Sequence, residues 1–386
     1  MAQILFVRKV VAIFIFLFGC FIAPAQTDSS HLRISLITCG PGEDLYSIWG
    51  HSAIRVTDTT THADRVYNYG TFDFYDPDFY IKFVRGGERM QYFLSVESFQ
   101  SFLSSYREEK RSVHEQVLNL SGEEKITLYK ALINNAKDEN KFYRYDFLFD
   151  NCATRIRDII RKHSDSSLVT HQVLGKPQTF RELIHVDLNR TGMYWSKFGI
   201  DILLGSRLDK TAQNEQTMFL PVYLAKGFDS TYFQSKYLVK AKAELYQSSL
   251  AESDKSFFTP FVAFTILLVL FIVFAAFKNK VVLTSLDFLL FLSTGLLGIL
   301  LILMWTATDH ALCKDNYNLL WALPFHTIAV FFVRSKKSRI KKYWLVTAVI
   351  NILLLAAWFF LPQQLNSGLL PLIILLAWRS YALYKK

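Results

Sequence analysis

The C-terminal third of the chain is rich in apolar residues and constrains the fold more than any other feature. Five apolar runs follow residue 256 of the 386-residue chain, at 257–277, 281–305, 319–333, 343–361 and 369–384. The first, second and fourth are long enough to cross a ~30 Å hydrocarbon layer as helices rising ~1.5 Å per residue. The third contains Pro324 and the fifth Pro371, which leaves a re-entrant segment open for both. The sequence predicts an all-α membrane domain, residues 257–386, of about five transmembrane helices.

The N-terminus has the order of a secretory signal. Two basic residues precede an apolar stretch at 10–22, and Ala23-Pro24-Ala25 follows it. Residues 1–25 are therefore predicted to be a signal peptide that is cleaved after the second alanine. An uncleaved anchor and lipidation at Cys20 are the alternatives. In each case residues 26–256 are expected to be exported to the periplasm.

Basic residues are distributed asymmetrically around the apolar runs. With the exported domain outside, the loops on the other side hold eleven basic residues and no acidic one, whereas Lys314 is the only basic residue of the outer loops. These eleven account for the formal net charge of +10, so the excess indicates membrane topology and not a nucleic-acid surface. We therefore expect a multi-pass membrane protein with the exported domain outside and a cytoplasmic C-terminus.

The exported domain mixes strand and helix patterns, which predicts an α+β fold. Strands are expected at 32–38, 52–57, 65–69, 90–95 and 113–120, the second and third forming a hairpin. Helices are expected at 98–110 and, opened by the capping box Ser121-Gly122-Glu123-Glu124, up to about Asn135.

Cys152 has the surroundings that point most directly to chemistry. It follows Asp150 and Asn151, either of which is a good N-cap, and three isoleucines after it share one helical face. Cys152 therefore falls in the first turn of a helix. Free backbone N–H groups and the helix dipole favour a thiolate there, and the same groups can bind an oxyanion. A thiolate at this position is a candidate nucleophile.

His51 is the candidate base for this thiol. It enters a strand after a glycine, a position from which an imidazole can project from a sheet edge towards a helix start. A third group often orients the imidazole. Asn68 on the neighbouring strand is the first choice for that group, and His62 is the second.

The same residues have simpler explanations. A cysteine at a helix start is often a small buried residue, and a histidine in a turn is often only hydrogen-bonded. In an oxidising compartment, Cys39 and Cys152 can also form a disulfide. The chain has no Cys-x-x-Cys or His-x-x-x-His pair and no phosphate-loop or dinucleotide pattern, so no metal or cofactor is predicted.

Several segments resemble a known family. A histidine strand ahead of an Asn-Cys helix resembles the permuted papain-like thiol enzymes of the NlpC and lecithin:retinol acyltransferase types. Four segments are similar to the periplasmic domain of Bacteroidota-type lipoprotein N-acyltransferases: Cys39-Gly40-Pro41-Gly42, Gly50-His51-Ser52-Ala53-Ile54-Arg55-Val56, Tyr67-Asn68-Tyr69-Gly70-Thr71-Phe72 and Asp150-Asn151-Cys152-Ala153-Thr154-Arg155. The resemblance continues into the membrane part and covers nearly the whole mature chain.

The resemblance implies a two-step acyl transfer. Cys152 would take an acyl chain from a membrane phospholipid as a thioester, with His51 as base and then acid. The free α-amine of a diacylated lipoprotein N-terminal cysteine would accept the chain. Substrate contacts are expected from Asn151, Arg155, Asp309, His310, Asn316 and Trp321. A polar interfacial loop with a tryptophan anchor is the alternative for the last four.

Other functions and contacts stay open at this point. The rival functions are a peptidoglycan endopeptidase, a phospholipase in which water resolves the thioester, and a non-enzymatic membrane scaffold. Asp287 lies ~9 Å into the second span and is a functional candidate, or a partner for Lys280 or Ser285. Arg157 and Arg181 are further candidates for phosphate contact, with a solvated helix face favoured for Arg157.

Overall fold

The computed structural model describes residues 31–72, 91–164, 168–233, 236–248 and 256–386. The predicted signal peptide and the first residue of the predicted strand at 90–95 lie outside these ranges. The first part of the described chain is α+β and the second part is helical, as predicted.

Within the described ranges, ten strands form two antiparallel sheets. They are β1 Leu32–Cys39, β2 His51–Asp58, β3 Ala63–Thr71, β4 Gln91–Ser98, β5 Val113–Leu118, β6 Phe142–Arg144, β7 Val169–Thr170, β8 Thr231–Phe233, β9 Lys236–Tyr237 and β10 Val239–Tyr246. The main sheet has seven strands in the order β10-β5-β1-β2-β3-β4-β6, and the small sheet has the order β7-β8-β9. The expected β2–β3 hairpin is confirmed.

Eleven α-helices are described. Those of the α+β part are α1 Phe99–Glu108, α2 Gly122–Asn135, α3 Cys152–His163, α4 Phe180–Arg190, α5 Tyr194–Leu203 and α6 Pro221–Ser230. Those of the membrane part are α7 Pro260–Ala276, α8 Lys280–Thr306, α9 His326–Ala329, α10 Ser338–Ala356 and α11 Leu370–Lys385. The predicted capping box at Ser121 and the predicted helix start at Cys152 are both confirmed.

The main sheet is covered on both faces, which explains why β1 is buried almost throughout. Ile34 and Leu36 face a core that includes Ile156 and other apolar residues of α2, α3 and α6. Ile37 faces the opposite core, with Phe102 of α1. The helix that begins at Cys152 therefore lies flat on the sheet and packs against β2 and β3.

The third apolar run is not one continuous helix, and a re-entrant segment is the alternative that the sequence left open for it. It consists of a 3-10 turn at Tyr317–Leu320, the single turn α9 and another 3-10 turn at Val330–Phe332. Pro324 interrupts it because proline lacks an N–H and restricts the residue before it. The broken segment instead packs along α8, where a Cβ on Gly298 would lie 2.0 Å from the carbonyl oxygen of Ala322.

The other apolar runs form helices. Among the described residues, two helical segments are long and apolar enough to cross a membrane, α8 and Ser367–Lys385, and α7 is a shorter apolar helix. Asp287 of α8 is paired with neither Lys280 nor Ser285. Its two carboxylate oxygens accept bonds of 2.7 and 2.8 Å from Arg379 of α11. This buried ion pair ties the beginning of α8 to the end of α11.

Candidate functional site

Asn151 fixes the helix start that carries Cys152. Its Oδ1 accepts hydrogen bonds of 2.9 Å from the N–H groups of Ala153 and Thr154, as an N-cap does. Its Nδ2 donates to the carbonyl oxygens of Phe147 at 2.7 Å and Phe219 at 2.9 Å. The side chain is 3% exposed and fully used within the fold. Asn151 therefore positions Cys152 and has no polar group left for a substrate.

His51 is the first residue of β2 and is brought into contact with Asn68 of β3. The imidazole Nε2 lies 3.3 Å from Asn68 Oδ1. Gly50 precedes His51 with a φ of +80°, and a Cβ there would lie 2.5 Å from the carbonyl oxygen of Cys39. Only glycine fits this position, because φ is in the left-handed region and the backbone of β1 is so close. The glycine allows the tight turn that delivers His51 to the strand end.

Glu97 is a member of the site that the sequence did not reveal. Its Oε1 accepts a 3.0 Å hydrogen bond from Asn68 Nδ2. Because a carboxylate only accepts, the amide nitrogen of Asn68 must face Glu97 and the amide oxygen must face His51. His51 then carries its proton on Nε2, and Nδ1 is the ring nitrogen that can accept one. The pairing of β3 with β4 sets Asn68 opposite Ser95, so Glu97 is its diagonal neighbour.

Gly70 lies beside Cys152 and two tyrosines. The register of β3 against β4 shifts between Asn68 and Thr71, and Gly70 has a φ of +90°. A Cβ on Gly70 would lie 3.7 Å from Cys152 Cβ, 3.7 Å from Tyr145 Cε2 and 3.8 Å from the Tyr143 hydroxyl. Three side chains from α3 and the segment before it thus converge on one point.

The thiol lies against the strand that begins with His51. The backbone N–H of Ser52, the residue after His51, interacts with the Cys152 thiol. In the described part of the chain, no hydrogen bond joins Cys152 to His51. The structure therefore brings His51 and Asn68 together directly and places the Cys152 thiol against the strand residue next to His51.

Burial keeps both groups neutral. It raises the pKa of the Cys152 thiol above its usual value, although the N–H groups of Ser52, Ala153 and Cys152 itself act in the opposite direction. Burial also lowers the pKa of His51 to about 4; the charge of Arg111 adds to this shift and the Asn68 hydrogen bond opposes it. The direction of this shift is opposite to the one expected at a helix start, because desolvation outweighs the helix-terminal N–H groups. The thiol must instead lose its proton as it reacts.

Tyr143 is the second member of the site that the sequence did not reveal. Its side chain is 8% exposed, and its hydroxyl has no hydrogen-bond partner among the residues that the structure describes. Burial and the nearby Cys152 raise the pKa of this hydroxyl, so it stays protonated and can donate. The Arg155 guanidinium lies 3.5 Å above the ring and is held by Asp150 at 2.6 Å. Arg155 therefore packs on Tyr143 and holds its ring in place. The only sign of Tyr143 in the sequence was the aromatic run before Cys152.

The described cysteines are free thiols. Cys39 and Cys313 are buried, and Cys152 is half-buried. Cys39 lies in the core of the sheet, where burial raises the pKa of its thiol. The structure therefore does not contain the alternative disulfide between Cys39 and Cys152.

An outer loop of the membrane part reaches the strand next to the site. Arg144, which lies between the two tyrosines beside the thiol, donates a 3.3 Å hydrogen bond to the carbonyl oxygen of Asp309. Leu312 of the same loop packs against the apolar cluster that contains Ile48 and Leu148. Leu312 thus lies near the segments that precede His51 and Cys152, and Asp309 is joined to β6 through Arg144.

The other predicted substrate contacts are buried between the two parts of the chain. Asn316 donates to the carbonyl oxygens of Ile202 at 2.8 Å and Leu203 at 3.1 Å. Trp321 is buried and donates to Asn318. Arg181 is fully buried among protein carboxylates and does not face a phosphate site. These residues have internal partners, and we assign them structural contacts.

The fold and site define a membrane protein whose α+β domain carries a cysteine thiol beside a buried tyrosine hydroxyl and against the strand residue that follows a histidine. Residues 23–186 match the family model of the Lnb N-terminal periplasmic domain, and residues 252–386 match that of the Lnb transmembrane domain, a domain of five transmembrane helices. The chain belongs to the Lnb family, the lipoprotein N-acyltransferases, which confirms the family prediction. No curated protein and no solved structure matches the chain.

Proposed function

We propose that the chain is an apolipoprotein N-acyltransferase that carries the acyl chain as a thioester on Cys152. The donor is a membrane phospholipid, and the acceptor is the free α-amine of a diacylated lipoprotein N-terminal cysteine. One observation supports this proposal most directly. Cys152 lies next to both the Tyr143 hydroxyl and the end of the strand that begins with His51. Cys152 and the Tyr143 hydroxyl meet beside Gly70, and Arg144, the next residue of β6, binds the loop of Asp309.

In the first step, the Cys152 thiol attacks the ester carbonyl of the phospholipid. His51 Nδ1 accepts the thiol proton as the carbon–sulfur bond forms, and its neutral state at pH 7 makes it able to do so. The Tyr143 hydroxyl and the Cys152 backbone N–H donate to the developing oxyanion, since Asn151 occupies the next two N–H groups. The carbon–oxygen bond then breaks, His51 returns the proton to the leaving alkoxide, and a lysophospholipid departs.

In the second step, the lipoprotein amine attacks the thioester in its neutral form. His51 accepts a proton from the amine as the amide bond forms. The carbon–sulfur bond breaks, and the proton passes from His51 to the departing sulfur. The thiol is regenerated, and the acyl chain is on the acceptor. The Asn68–Glu97 pair holds the imidazole in one tautomer through both steps.

Chain order and charge support the finer assignments. A histidine on a strand that precedes a cysteine at a helix start supports a permuted papain-like domain. The eleven basic residues on one side of the membrane part support an inner-membrane protein with a cytoplasmic C-terminus. The substrates of the proposed reaction have their reactive groups at the opposite, periplasmic surface of the bilayer.

The test uses the full-length protein in detergent with a phospholipid and a synthetic diacylated lipopeptide. Mass spectrometry should show one added acyl chain on the peptide and, when the peptide is omitted, an acyl adduct on Cys152. Cys152→Ala should abolish both products. Cys313→Ala, which changes a buried thiol in the membrane part, is the matched control and should keep them. Transfer by Cys152→Ala would contradict the proposal, and free fatty acid without a modified peptide would favour a phospholipase.

A further inference from the structure

The end of α5 is capped by the membrane part of the chain. The last carbonyl groups of a helix have no partner within the helix and need one elsewhere. Three amide side chains from outer loops of the membrane part supply it: Asn318 donates to Asp201 O at 2.9 Å, Asn316 to Ile202 O at 2.8 Å and Gln363 to Leu204 O at 3.1 Å. A helix of the periplasmic domain is thus completed by residues from the membrane domain.

A buried ion network surrounds the same helix end. Arg181 of α4 is fully buried and donates to the carboxylates of Asp201 at 2.8 Å and Asp209 at 2.9 Å. Asp201 also accepts from His185 at 2.8 Å and, across the domain boundary, from Asn366 at 2.8 Å. Each hydrogen bond of this network requires a particular direction between its donor and its acceptor. Together these bonds hold the two domains in one relative orientation.

The backbones of the two domains also meet at this point. Gly205 donates its N–H to the carbonyl oxygen of Leu312 at 2.8 Å, and a Cβ on Gly205 would lie 2.0 Å from the carbonyl oxygen of Lys314. Ser206 donates its N–H to Asp315 at 3.1 Å. Backbone pairing at this distance leaves no space for one domain to slide over the other. We call the capped end of α5, its ion network and these backbone contacts the interdomain joint.

The interdomain joint connects directly to the groups that hold the thiol site. Helix α4, which carries Arg181, shares an apolar core with the loop before His51. Within that core, Trp49 Nε1 donates to the carbonyl oxygen of Ile184 at 3.2 Å. The carbonyl oxygen of Phe219, in the same core, accepts from Asn151. A shift at the joint therefore moves both His51 and Cys152 relative to the membrane part.

We propose that the interdomain joint sets the height and tilt of the Cys152 site over the bilayer, so that the ester of a membrane-embedded phospholipid meets the thiol. This inference rests on the proposed function. The ester groups of bilayer lipids lie at a defined depth, whereas a soluble ester can approach the site from any direction. Because a misplacement of about 1 Å can cost about a hundredfold in rate, a fixed site height matters for the embedded donor alone. Asn366, Asn318 and Gln363 are positioning residues in this scheme.

The test compares two acyl donors on Asn366→Ala, which removes one amide from Asp201. We expect kcat/KM to fall at least about tenfold with phospholipid in vesicles, and to change less than about twofold with a water-soluble short-chain thioester. Asn366→Gln retains the amide donor and should recover at least half of the vesicle activity. Asn140→Ala, which removes an exposed amide that donates to Asn134 O, is the matched control and should equal the wild type.

The two donors also separate the possible failures. A parallel loss with both donors, or no loss with either, would overturn the positioning role. Wild-type protein that transfers from neither donor would instead refute the proposed function, and with it this inference. If Asn366→Ala does not fold, Asn318→Ala removes a different amide of the joint and is judged by the same ratio of the two activities.

Discussion

Replacing Tyr143 with phenylalanine removes one hydroxyl from the site beside Cys152 and leaves the ring in place. The hydroxyl is buried and has no partner within the described part of the chain, so it destabilises the folded state. An unsatisfied buried donor costs about 1–3 kcal/mol, and Tyr143→Phe should therefore unfold at an equal or higher temperature than the wild type. In the proposed reaction the same hydroxyl donates to the oxyanion. Loss of one such donor costs about 10²–10³ in kcat.

The two effects have opposite signs, which makes the prediction specific. Acyl-enzyme formation by mass spectrometry measures the rate, and circular dichroism measures the unfolding temperature. Tyr69→Phe is the control, because its ring lies 6.3 Å from that of Tyr143 and its hydroxyl accepts a 2.9 Å bond from Asn135. The control should lose about 0.5–1.5 kcal/mol of stability and keep its rate. A Tyr143→Phe variant within threefold of the wild-type rate would refute the role of the hydroxyl.

Three further outcomes follow from the described contacts. Because the pKa of His51 is lowered to about 4, acyl-enzyme formation should stay constant from about pH 8 to pH 5 and fall only near pH 4; a fall near the usual pKa of 6.5 would contradict the neutral resting state. Glu97→Gln should slow the reaction about tenfold, since a glutamine lets the Asn68 amide reverse, and nitrogen-15 NMR should show a mixture of His51 tautomers; a single tautomer would count against it. Asp287→Asn should destabilise the detergent-solubilised protein by about 3–5 kcal/mol, because it leaves Arg379 unpaired, and an unchanged unfolding temperature would argue against a structural ion pair.

Features set by adjacent residues were accessible from the sequence. The capping box at Ser121 and the N-cap at Asn151 depend on side chains within three positions of the helix start, so both helices begin where predicted. Strand alternation and turn residues gave the β2–β3 hairpin. The position of Cys152 in the first turn of α3 followed from the same local rules.

Features set by distant residues were not accessible. Glu97 and Tyr143 reach the site through the pairing of β3, β4 and β6, which no local pattern specifies. Hydropathy identified the third apolar run but could not show that it breaks into short turns along the Gly298 face of α8. The protonation state of Cys152 could not be predicted from neighbouring residues either. A helix start lowers the pKa of a thiol, but burial raises it, and burial depends on the whole fold.

The protonated state of Cys152 helps its thiol to stay reduced outside the cytoplasm. Disulfide exchange and peroxide damage both proceed through the sulfur anion, and a half-buried sulfur with a raised pKa offers little of it. Such a residue can persist in reduced form in a compartment that drives cysteines into mixed disulfides. In the proposed reaction, a bound ester and the His51 imidazole activate this thiol, so the same burial protects the sulfur from oxidants and reserves it for the substrate.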